Sequence, residues 1–399
     1  MHYAARGVPG DLGARGGRAA AASVVVSGMV AADPYQGGAS WAVLQYVLGL
    51  ERLGCGVTLV EQWDAPAAAP SLTRTPTGFY FREVVRSFGI EDRSALLRAD
   101  TDQTVGLPYP RLRERCRRAD LLINISGTLT AEDLLENIPV RAYLDLDPAF
   151  NQLWHESGID VRFDGHNRFL TVGQALGGPD CPVPTAGREW IATLPPVVLG
   201  RWPRAGGPGD GSFTSIGNWR GYGSVEHDGV HYGQRVHSMR ALLELPRRTD
   251  ARFRLALAIH PDEKKDLDAL DTNGWELVDP LDAAGTPQRY GRFVKCSTAE
   301  FGVAKSGYVL SRSGWFSDRS ACYLASGRPV LAQETGFSRF LPTGEGLLAF
   351  ETVDDAVAGV EAIRGDYARH AGAARELAED LLDSDRVLDR LLDLVAEGA

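Results

Sequence analysis

The strongest constraint on this chain is a rhythm: short apolar runs alternate with stretches of helical spacing, and the alternation occurs twice. SVVVSGMV (23–30) is β-branched and continuous, as expected of a parallel strand covered on both faces. A loop containing Gly37-Gly38 follows, then a helix over 40–54 that stops at Gly54, and GVTLVEQW is the second strand. Helices around 77–88, 108–118 and 131–137 alternate with strands at 120–126, 140–146 and 168–173. Residues 178–212 are dense in Pro and Gly and nearly lack periodicity, which reads as an interdomain connection. The rhythm then restarts, with strands at 213–217, 253–260, 307–314, 328–333 and 346–350 and a short one at WELVDP. Helices at 287–297 and 317–326 and three more over 353–398 complete it. The predicted fold class is α/β, with two Rossmann-like domains (21–200 and 201–375) facing each other across a cleft. A C-terminal helix over 376–399 packs back on them, and a ligand is expected in the cleft, at the carboxyl ends of the strands.

Composition narrows the function classes. The 399 residues carry 42 Lys+Arg against 52 Asp+Glu, a net charge of −10. That balance argues against a general nucleic-acid or anionic-membrane binder. The basic run RLRERCRR (111–118) reads as a solvated helix face. Five scattered cysteines without a CxxC pair exclude a disulfide scaffold and suit a reducing cytoplasm. MHYAARGVPGDLGARGGRAA (1–20) has no apolar h-region, so it is read as a disordered tail or the product of an upstream start, not as a secretory signal. No apolar run reaches the ~18 residues of a membrane span. A homodimer is compatible with all of this.

The most informative stretch is YVLSRSGWFSDRSACYLASGRPVLAQETGF (308–337). An apolar run ends in Ser311-Arg312-Ser313-Gly314, and a helix opens near Ser317-Asp318. A helix start after a Gly-containing loop offers N–H groups and a positive dipole end to an anion, and Arg312 and Arg319 flank it. The plain alternative is an N-cap with solvated arginines.

SDRSACYLASGRPVL followed by ETGFSRFLPTGEGLLAF resembles the nucleotide-sugar-binding half of GT-B glycosyltransferases, most similar to their GT4-like and CgeB-like groups. FTSIGNWRG (213–221) is similar to the start of that domain, and residues 24–61 to the family's N-terminal opening. The GT4 acidic pair E-x7-E would fall on Gly314 and Cys322, neither of which is acidic, whereas the CgeB-like Arg falls on Arg319. The resemblance implies a nucleotide diphosphate sugar as donor, a small-molecule or cell-surface-precursor acceptor, and no metal or other cofactor. The donor contacts it implies are Gly37, Gly38, Gly217, Asn218, Arg220, His260, Lys305, Arg312, Ser313, Gly314, Ser317, Asp318, Arg319, Thr335 and Gly336. Asp33 is the candidate base, with a turn before Pro34 as its plain reading. Trp154 and His155 are candidates for the acceptor side.

Asp145-Leu146-Asp147 after an apolar strand is the competing signal. A D-x-D is how another class of glycosyltransferase holds Mn²⁺ or Mg²⁺. Acceptor contact or a second base is the other functional reading of these aspartates, and a structural role the plain one. His227, His231 and His237 have a spacing compatible with metal, but they read better as surface loop residues. Two further readings remain: a nucleotide-sugar epimerase of the same fold, and a sugar-nucleotide-binding protein without turnover.

Overall fold

The computed structural model describes residues 22–66 and 69–397, so the expected tail over 1–20 lies outside the described residues. The first sheet contains β1 (Ser23–Ser27), β2 (Gly56–Trp63), β3 (Ser94–Arg98), β4 (Thr104–Gly106), β5 (Leu121–Ile125), β6 (Val140–Asp145), β7 (Arg168–Thr171) and β8 (Ile191–Ala192). Its order is β4-β3-β2-β1-β5-β6-β7-β8, parallel throughout except for β4 against β3. Val24, Val25 and Val26 are buried, as their unbroken apolar run requires.

The second sheet is built from β9 (Ser212–Asn218), β12 (Arg252–Ala258), β13 (Glu276–Leu277), β14 (Ala299–Gly302), β15 (Val330–Gln333) and β16 (Leu347–Phe350). All its pairings are parallel, in the order β13-β12-β9-β14-β15-β16. A hairpin of β10 (Val225–His227) and β11 (Val230–Tyr232) stands apart from it. Each half is a Rossmann-like α/β layer, the arrangement the alternation predicts.

Two local expectations need correction. The apolar run at 307–314 is not a strand: Ser306–Ser311 is a helix, ended by Arg312 in the left-handed region at φ +45°. The strand between β9 and β15 is Ala299–Gly302, a four-residue run interrupted by a charged residue, Glu300. The Pro/Gly-rich segment is also more than a connection. It contributes β8 to the first sheet, and its Trp202 is buried against Trp41 at 4.9 Å between ring centroids.

The two halves share a hydrophobic core. Helix Gly37–Arg52 lies against the second half, where Trp41 Nε1 donates to the Pro287 carbonyl at 2.9 Å. A Cβ on Gly37 would lie 2.3 Å from the Thr286 carbonyl carbon, and one on Gly38 would lie 3.1 Å from the Tyr290 ring. The glycine pair therefore serves a close backbone approach, but to the second half of the protein rather than to a ligand. The last helix, Ser384–Glu397, returns to the first half, with Leu388 against Gly49 and Asp385 paired with Arg52. Among the described residues, no helix is long and apolar enough to cross a membrane.

Candidate functional site

Glu300 lies on β14 with no solvent exposure, and an isolated carboxylate there would be costly. The helix Asp318–Ala325 supplies its partner: Arg319 Nε is 2.5 Å from Glu300 Oε1, and Arg319 Nη1 donates to the Ile216 carbonyl at the end of β9 at 3.0 Å. Ser317 is the N-cap, its Oγ accepting from the Arg319 N–H at 3.2 Å. A small cleft lined by Val303, Ala304, Phe316, Ser317, Arg319 and Ser320 opens at this first turn. The helix start faces this cleft, at the carboxyl ends of β14 and β15.

The residue that sequence reasoning missed is Arg235. It begins the helix Arg235–Arg240, is 7 % exposed, and its Nε and Nη1 find no hydrogen-bond partner among the described residues. Its guanidinium packs on Gly217, where a Cβ would lie 3.1 Å from Cζ, and Gly217 itself has φ +153°. Burial, reinforced by the like charge of Arg319, pushes its pKa down to about 9. Arg235 and Arg319 thus share the field of one buried carboxylate, Glu300, and Arg235 Nε and Nη1 are left without a direct acceptor beside a helix start. Gly217 thus matters for admitting Arg235.

Across from these groups the D-x-D motif is fully engaged by protein. Asp145 is buried, and its carboxylate accepts from Asn151 Nδ2 at 2.6 Å, Gln152 Nε2 at 2.9 Å, Thr171 Oγ1 at 3.0 Å and the Asp147 N–H at 2.9 Å. Burial raises its pKa to about 6, with the Gln152 and Asn151 hydrogen bonds working against the shift. These donors occupy the carboxylate and tie down the loop after β6, so a catalytic role for Asp145 is replaced by an organising one. Asp147 Oδ1 accepts from the Tyr222 and Tyr308 hydroxyls and lies 3.3 Å from Lys305 Nζ. Hydroxyl donors and an ammonium converging on one carboxylate do not make a cation site. No group of three or more His, Cys, Asp or Glu among the described residues could hold a metal ion.

Several expected contacts lie elsewhere. Asp33 is exposed and accepts from Gln36, the turn arrangement of its plain reading. Arg220 pairs with Glu263, and Arg312 faces outward to Glu351 at 3.4 Å. His260 is largely exposed and accepts from the Asp262 N–H at 3.2 Å, while Asn218 ends β9 on the surface. Ser313 and Gly314 join the two halves: the Ser313 carbonyl accepts from the Ala175 N–H at 2.8 Å, and a Cβ on Gly314 would lie 3.0 Å from Ala175 N. Thr335 and Gly336 brace that loop, with the Thr335 carbonyl accepting from the Gly314 N–H at 2.9 Å. Trp154 packs on Tyr222, and His155 against Phe163. The rings of His231 and His237 meet edge to face with 5.3 Å between centroids, but His231 is held by Glu226, His237 accepts from the Gln234 N–H, and His227 lies by Asp228. Arginines of the basic helix pair with Glu114 and Asp133.

No protein-family model matches the sequence, and no curated protein matches it. Solved structures do. Anabaena Alr3699/HepE in complex with UDP and glucose is similar at TM-score 0.58 and 11% identity, covering 94% of this chain and 100% of that one. An alpha-glucosyltransferase in complex with UDP and a 13-mer DNA is similar at TM-score 0.57 and 11% identity, covering 94% and 99%. Sucrose-phosphate synthase from Thermosynechococcus elongatus reaches TM-score 0.52 at 10% identity, covering 94% and 98%. The chain has the fold of these proteins, two Rossmann-like halves in the GT-B arrangement.

Proposed function

We propose that this protein is a glycosyltransferase that takes its sugar from a nucleoside diphosphate sugar and passes it to a small-molecule or cell-surface-precursor acceptor in the cytoplasm. The observation that carries this reading is Arg235, whose buried Nε and Nη1 have no hydrogen-bond partner among the described residues, in the field of Arg319 near the carboxyl ends of β9 and β14. A diphosphate would supply the acceptors that Arg235 Nε and Nη1 lack. Complexes of similar fold with UDP and with UDP-glucose support the choice of ligand.

The chemistry follows from where charge develops. Breaking the bond between sugar and diphosphate builds positive character on the sugar and negative charge on the departing phosphates. Cations held in place before the reaction stabilise that charge without reorganising. Arg235 and Arg319 would meet the diphosphate, with the first-turn N–H groups of helix Asp318–Ala325 beside them and Lys305 behind Ala304. This set of cations does the work that a divalent ion does elsewhere, so the reading needs no resident metal or other cofactor. The Arg319 position, eight residues ahead of Gly327, and the non-acidic Gly314 and Cys322 support the CgeB-like pattern within the fold.

A thermal-shift panel of UDP, ADP, GDP, CDP and dTDP, each alone and as its sugar, tests the proposal. One base family should raise the melting temperature in a saturable way, by about 2.7 kcal/mol of stabilisation at a hundredfold excess over Kd. Stabilisation by Mn²⁺ or Mg²⁺ alone, with none from any nucleotide, would instead favour cation binding at the D-x-D motif.

A further inference from the structure

Asp147 is poorly explained as a structural residue. It belongs to the first half of the molecule, and the groups that converge on its Oδ1 (Tyr222, Lys305 and Tyr308) all come from the second. The Lys305 ammonium is mostly enclosed, 16 % exposed, and lies 3.3 Å from the centroid of the Tyr222 ring as well as 3.3 Å from the carboxylate. Burial lowers its pKa, and Asp147 opposes that shift.

The backbone of Lys305 belongs to the anion site. Ala304 lines the cleft at the helix start. The next two N–H groups, of Ser306 and Gly307, donate to the Gln234 and Gly233 carbonyls, just ahead of Arg235. Lys305 thus follows a cleft residue and precedes two backbone contacts to the segment leading into Arg235, with its ammonium turned toward a carboxylate. Its flexible four-carbon stem lets the ammonium change partners without moving the backbone.

We propose that Asp147 is the resident counter-charge of the anion site, holding Lys305 in the unliganded protein and giving it up to a bound diphosphate. Asp147 is then a positioning residue acting through Lys305: it sets how tightly the diphosphate binds. The inference rests on the proposed donor site and deepens it, because it predicts that removing a carboxylate improves binding.

Calorimetry with UDP (or whichever nucleoside diphosphate the panel selects) and with inorganic pyrophosphate provides the test. D147N should bind both ligands about tenfold tighter than the unchanged protein, the scale expected when one partly buried ion pair no longer competes. K305M should bind both more weakly. Adding D147N to K305M should change affinity less than twofold, since the carboxylate then has no lysine to withhold. That comparison keeps the proposal open to refutation even if D147N alone does not fold. Unchanged or weaker binding by a folded D147N overturns the inference and leaves the donor site standing. So does a gain that persists in the K305M background. Failure of every nucleoside diphosphate to bind the unchanged protein removes the donor site, and this inference with it.

Discussion

Replacing Arg235 by methionine should stabilise the unliganded protein and abolish its response to nucleotide. The reasoning is thermodynamic. Burial, with the adjacent Arg319 charge, lowers the Arg235 pKa from its ordinary value to about 9, so at neutral pH the folded state carries a strained positive charge that the unfolded chain hydrates freely. At 1.36 kcal/mol per pKa unit the full penalty is about 5 kcal/mol, an upper bound reached only if nothing relaxes. Methionine keeps much of the apolar stem and removes the charge, and such replacements of buried ions typically gain about 1–4 kcal/mol. For a cooperative unit of about 150–250 residues each kcal/mol moves the melting temperature by about 2–4 °C, so a rise of about 2–16 °C is expected. Differential scanning fluorimetry at pH 7.5, with and without the selected nucleoside diphosphate, reads both effects at once. The ligand-induced shift should vanish in Arg235→Met and return in part in Arg235→Lys, which restores charge without the planar fork. If Arg235→Met melts below the unchanged protein and still responds to nucleotide, Arg235 is an ordinary packing residue and the anion site is misplaced.

Three other outcomes follow from the geometry. Arg319→Ala should cost about 3–5 kcal/mol, because it strands the buried Glu300 carboxylate, and urea unfolding should show this as a lower midpoint. Gly37→Ala should lower thermal stability by about 1–3 kcal/mol, since its methyl would sit 2.3 Å from the Thr286 carbonyl carbon; an unchanged melting temperature would show that the two halves are not held together there. Glu61 accepts from the Val30, Ala31 and Ala32 N–H groups without exposure, and burial raises its pKa from 4.5 to about 7 against those hydrogen bonds. The folded protein therefore keeps that proton to a higher pH than the unfolded chain. Its stabilising contribution is full below about pH 4.5 and falls by up to ~3 kcal/mol as pH rises to about 7. Unfolding midpoints measured between pH 4.5 and 8 should lose this component in Glu61→Gln.

The parallel α/β architecture was legible because its central strands are written locally. Val24–Val25–Val26 and Leu121–Leu122–Ile123 are uninterrupted apolar runs, and a run of that kind fits a strand covered on both faces. β14 was not legible for the same physical reason in reverse. It has four residues, and the charge on Glu300 breaks its apolar pattern; only Arg319, nineteen positions later, makes that charge tolerable. The helix Ser306–Ser311 is too short for its period to show, so its Tyr-Val-Leu triplet imitates a strand. The helix start at Ser317 could be read from a cap residue and a glycine, which are neighbours in sequence. The charges that give that start its chemistry could not. Arg235 resembles a surface arginine until Gly217, eighteen positions earlier, leaves room for it to be buried. Asp147 looked like half of a metal motif until Tyr222, Lys305 and Tyr308 arrived from as far as 161 residues away to occupy it. Charge assignments in a cleft between two halves are set by pairs that no spacing rule connects. The sequence therefore marked the loop and the helix start, while the charges around them depended on which side chains the fold brought together.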